Sequence, residues 1–339
     1  MKSSPNFFFP SRFFALAGTL ALAFSAVPAA DAMVASIYEE KFFGFSTSVK
    51  ETHNTDYSTA TTDISEIWNR TVWIADDGGT ATYLGRAADG SHLILTANHV
   101  GMHSMSITTT DGSTYDLTAN KNWRIGTADL KIYSVSVNTE TSEFLDSLGN
   151  IDIYTGTLTT STNLYSVGTG KSTAIGSAYT TGTREKQWAE FKRNNISVTD
   201  ENGTVSTVAT VPVNTSGTTE CYAEVFSNEE TSFQATQYDS GSGVFVWDSS
   251  ENKWKIAGVT LAVGSNTDID TSIIGYYEES GKDSPKTCCT FFADLSQYAP
   301  QINAIMAIPE PSAFGLLAGT CALVLAASRR RRSRPLPLR

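Results

Sequence analysis

The sequence predicts an all-β protein, one large β domain or a pair of fused barrels, and three observations point there. From Thr71 to about Val263 it runs as short stretches rich in Val, Ile, Thr, Tyr and Trp, the side chains that suit a pleated, half-buried strand. Gly, Asn, Asp, Ser and Thr separate these stretches, and their short side chains or free backbone favour turns. The span from about residue 33 to 308 is long enough for one large domain or two fused barrels and too uniform for several small ones.

The elements follow in chain order. Lys2 and Arg12 precede an apolar run from Phe13 to Phe24, and small residues follow at Ala30-Asp31-Ala32. Residues 1–32 therefore read as a signal peptide, since a buried core helix has no use for positive charge ahead of it and an A-x-A step behind it. Residues 33–70 form a Ser/Thr-rich segment without clear periodicity. Residues 71–305 are the β domain, with strands expected at Thr71–Ala75, Leu93–Thr96, Leu130–Val135, Val244–Trp247 and Ile256–Leu261. Near its end Leu295, Tyr298, Ile302 and Ile305 fall on one face at helical spacing, and Pro300 suits only the first turn of that C-terminal helix.

Residues 306–339 carry Pro309-Glu310-Pro311, an apolar stretch from Ala313 to Ala327, and Arg329 to Arg332. A helix needs roughly 20 apolar residues to cross a bilayer, so this stretch is a short span, and the arginines would hold its end on the cytoplasmic side. The order of parts resembles the PEP-CTERM sorting signal of Gram-negative bacteria; an uncleaved tail anchor is the plainer alternative. The resemblance implies an exosortase-type processing enzyme as partner, a transmembrane helix that anchors the chain until it is processed, and a destination at the cell surface, outer membrane or extracellular polysaccharide.

Charge excludes one class of partner. Of 24 basic residues, Lys2, Arg12 and the six arginines from Arg329 onward belong to the two ends, as do Asp31 and Glu310 among the 35 acids. Setting those aside leaves 16 basic against 33 acidic residues, a net of −17, which nucleic-acid phosphates would repel. Of the four cysteines, Cys321 leaves with the tail. Cys221, Cys288 and Cys289 remain, and in an oxidising compartment one bridge from Cys221 to Cys288 or Cys289 would leave an odd thiol. The spacing fits no zinc site, and neither metal nor cofactor is expected.

Amide hydrolysis at neutral pH needs a nucleophile, a base, a group that orients the base, and amides for the oxyanion. Ile94-Leu95-Thr96-Ala97-Asn98-His99-Val100 is an apolar strand that stops at a histidine, presenting the imidazole at a strand end. Alone, that histidine could equally sit in a surface loop. Tyr238-Asp239-Ser240-Gly241-Ser242-Gly243-Val244 is a tight turn before a buried strand, which would raise the Ser240 hydroxyl and converge backbone N–H groups on one point. Asp129, in Ala128-Asp129-Leu130-Lys131-Ile132, begins an apolar strand. Asp152, in Ile151-Asp152-Ile153, is the rival, and the continuing strand after Leu130 favours Asp129.

These blocks resemble the Leu-Thr-Ala-Ala-His-Cys, Asn-Asp-Ile-Ala-Leu and Gly-Asp-Ser-Gly-Gly-Pro-Val blocks of trypsin-like serine proteases. Gly79 to Gly85 resembles the strand before the histidine block, Ala257-Gly258-Val259-Thr260 a strand lining the substrate cleft, and Ala293 to Tyr298 the start of the closing helix. The order His, Asp, Ser is also that of the family. The resemblance implies two six-stranded-type β-barrels of the chymotrypsin-like fold with a C-terminal helix, and a serine endopeptidase acting on peptides or proteins. In it His99, Asp129 and Ser240 are catalytic, the backbone of Tyr238 and Ser240 forms the oxyanion hole, and Gln234, six residues before the nucleophile, floors the specificity pocket. No acid there means no preference for Lys or Arg.

Two departures matter. Tyr238 stands where the family has a glycine whose amide is an oxyanion donor, and a side chain there opposes the backbone conformation that forms the hole. This residue supports the alternative of a catalytically weak surface or matrix-binding protein. The Ile-Val-Gly-Gly start that would pair with Asp239 after zymogen cleavage is also missing, so Asp239 needs another partner. Gly168-Thr169-Gly170-Lys171-Ser172 ends like a phosphate loop but has Tyr165 where that motif needs glycine. His99 and His103 are four apart, yet Gly101 lies between them and no Glu follows His99, which argues against zinc.

Overall fold

A computed structural model describes residues 31–36, 55–75, 78–101, 103–172, 183–199, 205–225, 232–265 and 288–308. The apolar core of the leader and the Pro-Glu-Pro tail lie outside the described residues. Among those described, no helix is long and apolar enough to cross a membrane.

The first half carries β1 (Asp31–Ser36), helix α1 (Ser65–Asn69), and then β2 (Thr71–Ile74), β3 (Gly79–Arg86), β4 (His92–Ala97), β5 (Met105–Thr108), β6 (Thr114–Arg124) and β7 (Leu130–Ser136). Strands β2 to β7 close into a six-stranded antiparallel barrel in the order β2-β3-β4-β7-β6-β5. Closure removes the unpaired edges an open sheet would expose. Strand β4 is buried along its whole length and β3 at every residue but Arg86. Strands buried at nearly every position, without alternation, are covered on both faces.

Helix α2 (Thr139–Leu148) follows, where the sequence reading expected only strands. Asn138 caps it by accepting from the Thr141 N–H at 2.8 Å, Leu145 is buried and Gly149 ends it at φ +63°. Apolar Phe144, Leu145 and Leu148 lie at spacings of one, three and four residues, a helical stripe that an all-strand expectation overlooks.

The second half contains β8 (Asp152–Ile153), β9 (Leu164–Gly168), β10 (Lys171–Ser172), β11 (Thr183–Arg184), β12 (Gln187–Phe191), β13 (Ile196–Thr199), β14 (Val205–Val208) and β15 (Val211–Asn214). It continues with β16 (Thr218–Val225), β17 (Ser232–Gln237), β18 (Gly243–Asp248), β19 (Lys253–Ser265) and β20 (Cys288–Asp294), and ends with helix α3 (Ala299–Met306). Among the described residues this half is not the second closed barrel expected. It is an eight-stranded sheet in the order β12-β9-β18-β19-β20-β16-β15, with β8 added on β19. Strand β17 pairs with β1, from Asp31↔Gln237 to Ser36↔Ser232, while β10–β11 and β13–β14 stand as separate ribbons. Bulges in the β18–β19 and β19–β20 ladders bend the sheet.

One buried apolar cluster runs through both halves, from Val72, Leu95 and Ile132 in the barrel to Val167, Phe245 and Val259 in the sheet. A second, with Leu164, Phe191, Val244 and Phe292, fills the other sheet face. Full burial of each such side chain contributes about 1.5–3 kcal/mol, so the two halves share one core. Cysteine gives a correction. The β16–β20 register pairs Val225 with Cys289 and Cys221 with Ala293, which separates Cys221 from Cys289 by four residues along the strands, about 13 Å. Cys288 is one step further. A disulfide needs Cα atoms within about 7 Å, and Cys221 and Cys289 are indeed free, buried thiols.

Candidate active site

Register places the histidine and the aspartate together. Ala97 at the end of β4 pairs with Leu130 at the start of β7, so the chain leaving β4 passes the residue entering β7. The Asn98 N–H donates to the Asp129 carbonyl at 3.1 Å, and the His99 N–H to Asp129 Oδ1 at 2.9 Å. His99 Nδ1 then lies 2.6 Å from Asp129 Oδ2. The rival Asp152 sits elsewhere, exposed on β8 and paired with Lys253 Nζ at 2.6 Å.

Asp129 is 0 % exposed, and a buried carboxylate must be well supplied with donors. Two residues that the sequence reading missed supply part of that need, and a third, Thr219, holds the Asp129 backbone. The Thr215 hydroxyl donates to Oδ2 and the Ser216 hydroxyl to Oδ1, while the Asp129 N–H donates to Thr219 Oγ1 at 2.8 Å. Thr215 and Ser216 lie in the turn between β15 and β16 and Thr219 near the start of β16, in the other half of the fold. Arg124 seats that turn by donating to the Ser216 carbonyl at 2.6 Å and the Thr127 carbonyl at 3.2 Å. A local signal exists in Asn214-Thr215-Ser216-Gly217, which reads as a hairpin turn. That it would fold onto Asp129 is not written in those residues.

Burial pushes the Asp129 pKa up, but the hydrogen bond and charge of His99 and the Ser216 and Thr215 hydroxyls outweigh it, leaving the value below the usual carboxylate range. A carboxylate depressed in the folded state stabilises the fold above its unfolded pKa of about 3.9, and the contribution is lost as pH falls through the lower folded value. Urea midpoints measured from pH 5 downward should therefore drop below about pH 4 in the wild type and less steeply in Asp129→Asn. Parallel acid limbs would show that this carboxylate does not contribute.

Ser240 lies in the turn joining β17 to β18. The Ser242 N–H donates to the Asp239 carbonyl at 2.8 Å, closing a β-turn with Ser240 and Gly241 at its centre, and Gly241 takes φ +95°. Two contacts seat this turn against β3 and the strand that leads to the histidine. The Thr80 N–H donates to the Ser240 carbonyl at 2.9 Å, and a Cβ on Gly79 would lie 2.9 Å from that carbonyl and 3.1 Å from Val100, the neighbour of His99. Gly241 lies against Thr96, three residues before His99, since a Cβ on it would come 2.2 Å from Thr96 Oγ1. Ser240 is 1 % exposed, and its hydroxyl donates to the Leu261 carbonyl at 3.3 Å.

Tyr238 takes φ +85°. A glycine adopts that left-handed backbone freely, and a tyrosine at a cost of about 1–3 kcal/mol. The conformational objection to Tyr238 is thus met by strain and not by avoidance: the side chain is tolerated and the glycine-like backbone kept. Thr80 Oγ1 holds the Tyr238 carbonyl at 2.8 Å. Next to it Asp239 is fully buried, and its charge holds the Arg184 pKa up against the effect of burial. Gln234 lies on β17 opposite Val34, and its side chain is outside the described residues. Gly168 to Ser172 joins one strand to another, whereas a phosphate loop leads into a helix. Among the described residues no cluster of His, Cys, Asp and Glu could hold a metal ion.

Residues 85–279 match the family Peptidase S6, Immunoglobulin A1 protease, a stretch containing His99, Asp129 and Ser240. The crystal structure of Rv3671c from M. tuberculosis H37Rv, an inactive mutant form, is similar at a TM-score of 0.38 and 14% identity, covering 71% of this chain and 89% of that one. No curated protein matches the sequence. The family match, not the looser structural likeness, carries the assignment: spanning more than half of the chain, it shows that this protein belongs to the Immunoglobulin A1 protease family of peptidases, Peptidase S6.

Proposed function

We propose that the chain is an exported serine endopeptidase that cleaves peptide bonds through an acyl-enzyme. The observation that carries this reading is the buried Asp129 carboxylate 2.6 Å from His99 Nδ1, on a surface shared with the Ser240 turn. In acylation His99 Nε2 takes the Ser240 hydroxyl proton as Oγ bonds to the scissile carbonyl carbon, and backbone N–H groups of Tyr238 and Ser240 receive the oxyanion. The C–N bond breaks, and the amine leaves with the proton that His99 carried. Water then repeats the sequence on the ester, losing its proton to His99, and Ser240 is restored. Asp129 keeps Nδ1–H bonded so that Nε2 is the basic nitrogen.

For this attack the Ser240 hydroxyl must turn from the Leu261 carbonyl to His99. That hydrogen bond and the low exposure of Ser240 favour a second reading, a catalytically weak protein in which the same fold serves as a binding platform at the surface or matrix. A fluorophosphonate label separates the two. The leading reading expects covalent labelling of the folded wild type and none of Ser240→Ala, and an unlabelled, folded wild type would sink it. The charge balance supports a partner other than nucleic acid. The Pro-Glu-Pro tail supports sorting to the cell surface through an exosortase-type enzyme, with membrane attachment through the apolar stretch before processing.

A further inference from the structure

We infer that Arg184 is a positioning residue for the oxyanion site, one that clamps Tyr238 in its left-handed backbone by stacking the tyrosine ring against Trp73 of the barrel. Its guanidinium carbon lies 4.2 Å from the Trp73 ring centroid and 4.7 Å from that of Tyr238, so the cation is held between two aromatic faces. Its N–H groups are committed elsewhere, which fixes the plane. Nε donates to the Thr169 carbonyl at 2.7 Å, Nη1 to the Ile74 carbonyl at 2.6 Å, and Nη2 to the Gly79 carbonyl and to Thr169 Oγ1. These acceptors lie at the end of β2, the start of β3 and just beyond β9, so one side chain ties the barrel to the sheet beside the nucleophile turn. Burial pushes the Arg184 pKa down, Asp239 and Tyr238 raise it in part, and at about 10 it remains charged at neutral pH.

The clamp is needed because Tyr238 at φ +85° is in a left-handed backbone that a side chain disfavours, so an unclamped loop would relax and take the Tyr238 N–H out of position. Glycine at 238 would need no clamp. Lys171 Nζ also lies 5.4 Å from the Tyr238 ring, but a lysine has neither the flat face nor the fork to reproduce the stack.

The inference rests on the proposed hydrolase and is tested by a double-mutant cycle. Loss of one oxyanion donor lowers turnover about 100- to 1,000-fold. Arg184→Met in the wild-type background should therefore lower kcat on a generic peptide ester, and the fluorophosphonate labelling rate, about 100-fold with KM little changed. In the Tyr238→Gly background the same substitution should cost less than about fivefold, because glycine holds φ +85° unaided. A role limited to packing would give equal losses in both backgrounds, and that result overturns the inference, as does an Arg184→Met enzyme with wild-type kcat. If Arg184→Met does not fold, Arg184→Lys takes its place, with about a tenfold loss expected and removed by Tyr238→Gly; a loss that persists overturns the inference equally. A wild type that is never labelled overturns the hydrolase reading and the clamp together, whereas a labelled wild type with equal losses overturns the clamp alone.

Discussion

Asp129→Asn is expected to lower kcat about 10,000-fold with KM nearly unchanged, the size seen when the orienting acid of a serine triad becomes an amide. The hydrogen bonds around Asp129 explain why the amide cannot hide its effect. Oδ1 accepts from the His99 backbone N–H and the Ser216 hydroxyl, and Oδ2 from His99 Nδ1 and the Thr215 hydroxyl. An asparagine has one oxygen for these two places. Its NH2 cannot face the His99 backbone N–H, which is fixed and donates only, so the oxygen must keep the Oδ1 position. The NH2 then faces His99 Nδ1, where the Thr215 hydroxyl can rotate to accept from it. Nδ1 becomes an acceptor, the ring proton moves to Nε2, and the nitrogen meant to receive the Ser240 proton is already occupied. Steady-state kinetics with a folded, monodisperse variant would check this. An Asp129→Asn enzyme retaining more than a tenth of wild-type kcat would mean that Asp129 is a structural carboxylate only.

The parts of this site that were legible in the sequence are those whose geometry is local. His99 follows an apolar strand, Asp129 starts one, and Ser240 lies in a Gly-containing turn before β18, so each announces its own backbone. The strands expected at Leu93–Thr96, Leu130–Val135 and Val244–Trp247 fall within β4, β7 and β18. Contacts made across the fold were not legible. Thr215, Ser216 and Thr219 reach Asp129 from about 90 residues away, and Arg184 meets Trp73 and Tyr238 only because barrel and sheet dock. No period or motif encodes such pairings. The missed helix α2 has another origin: its Thr- and Ser-rich sequence has weak helix propensity, and it is held by the Asn138 cap and by tertiary burial of Leu145. Likewise, the pairing of β17 with β1 is a long-range choice that no local pattern encodes.

Gly241→Ala is expected to abolish detectable labelling and to cost about 2–5 kcal/mol of stability, the sum of left-handed backbone strain and overpacking in a rigid site. Both components come from position. Gly241 sits at φ +95°, and a Cβ built there would lie 1.9 Å from the Thr80 carbonyl oxygen and 2.2 Å from Thr96 Oγ1. Neither atom can retreat freely, for Thr96 Oγ1 is itself bonded to the Thr80 carbonyl at 2.7 Å, between two fully buried residues of the barrel. The turn must therefore lift away from β3 and β4, which breaks the bond from the Thr80 N–H to the Ser240 carbonyl and displaces Ser240. Gly112→Ala is the control. Gly112 has φ +84°, but a Cβ on it would meet nothing within 4 Å, so only backbone strain of about 1–2 kcal/mol is expected, with labelling intact. Urea midpoints of the two variants then separate the clash from the strain. Equal losses, or a Gly241→Ala protein labelled at the wild-type rate, would show that the nucleophile turn is not held against the barrel in this way.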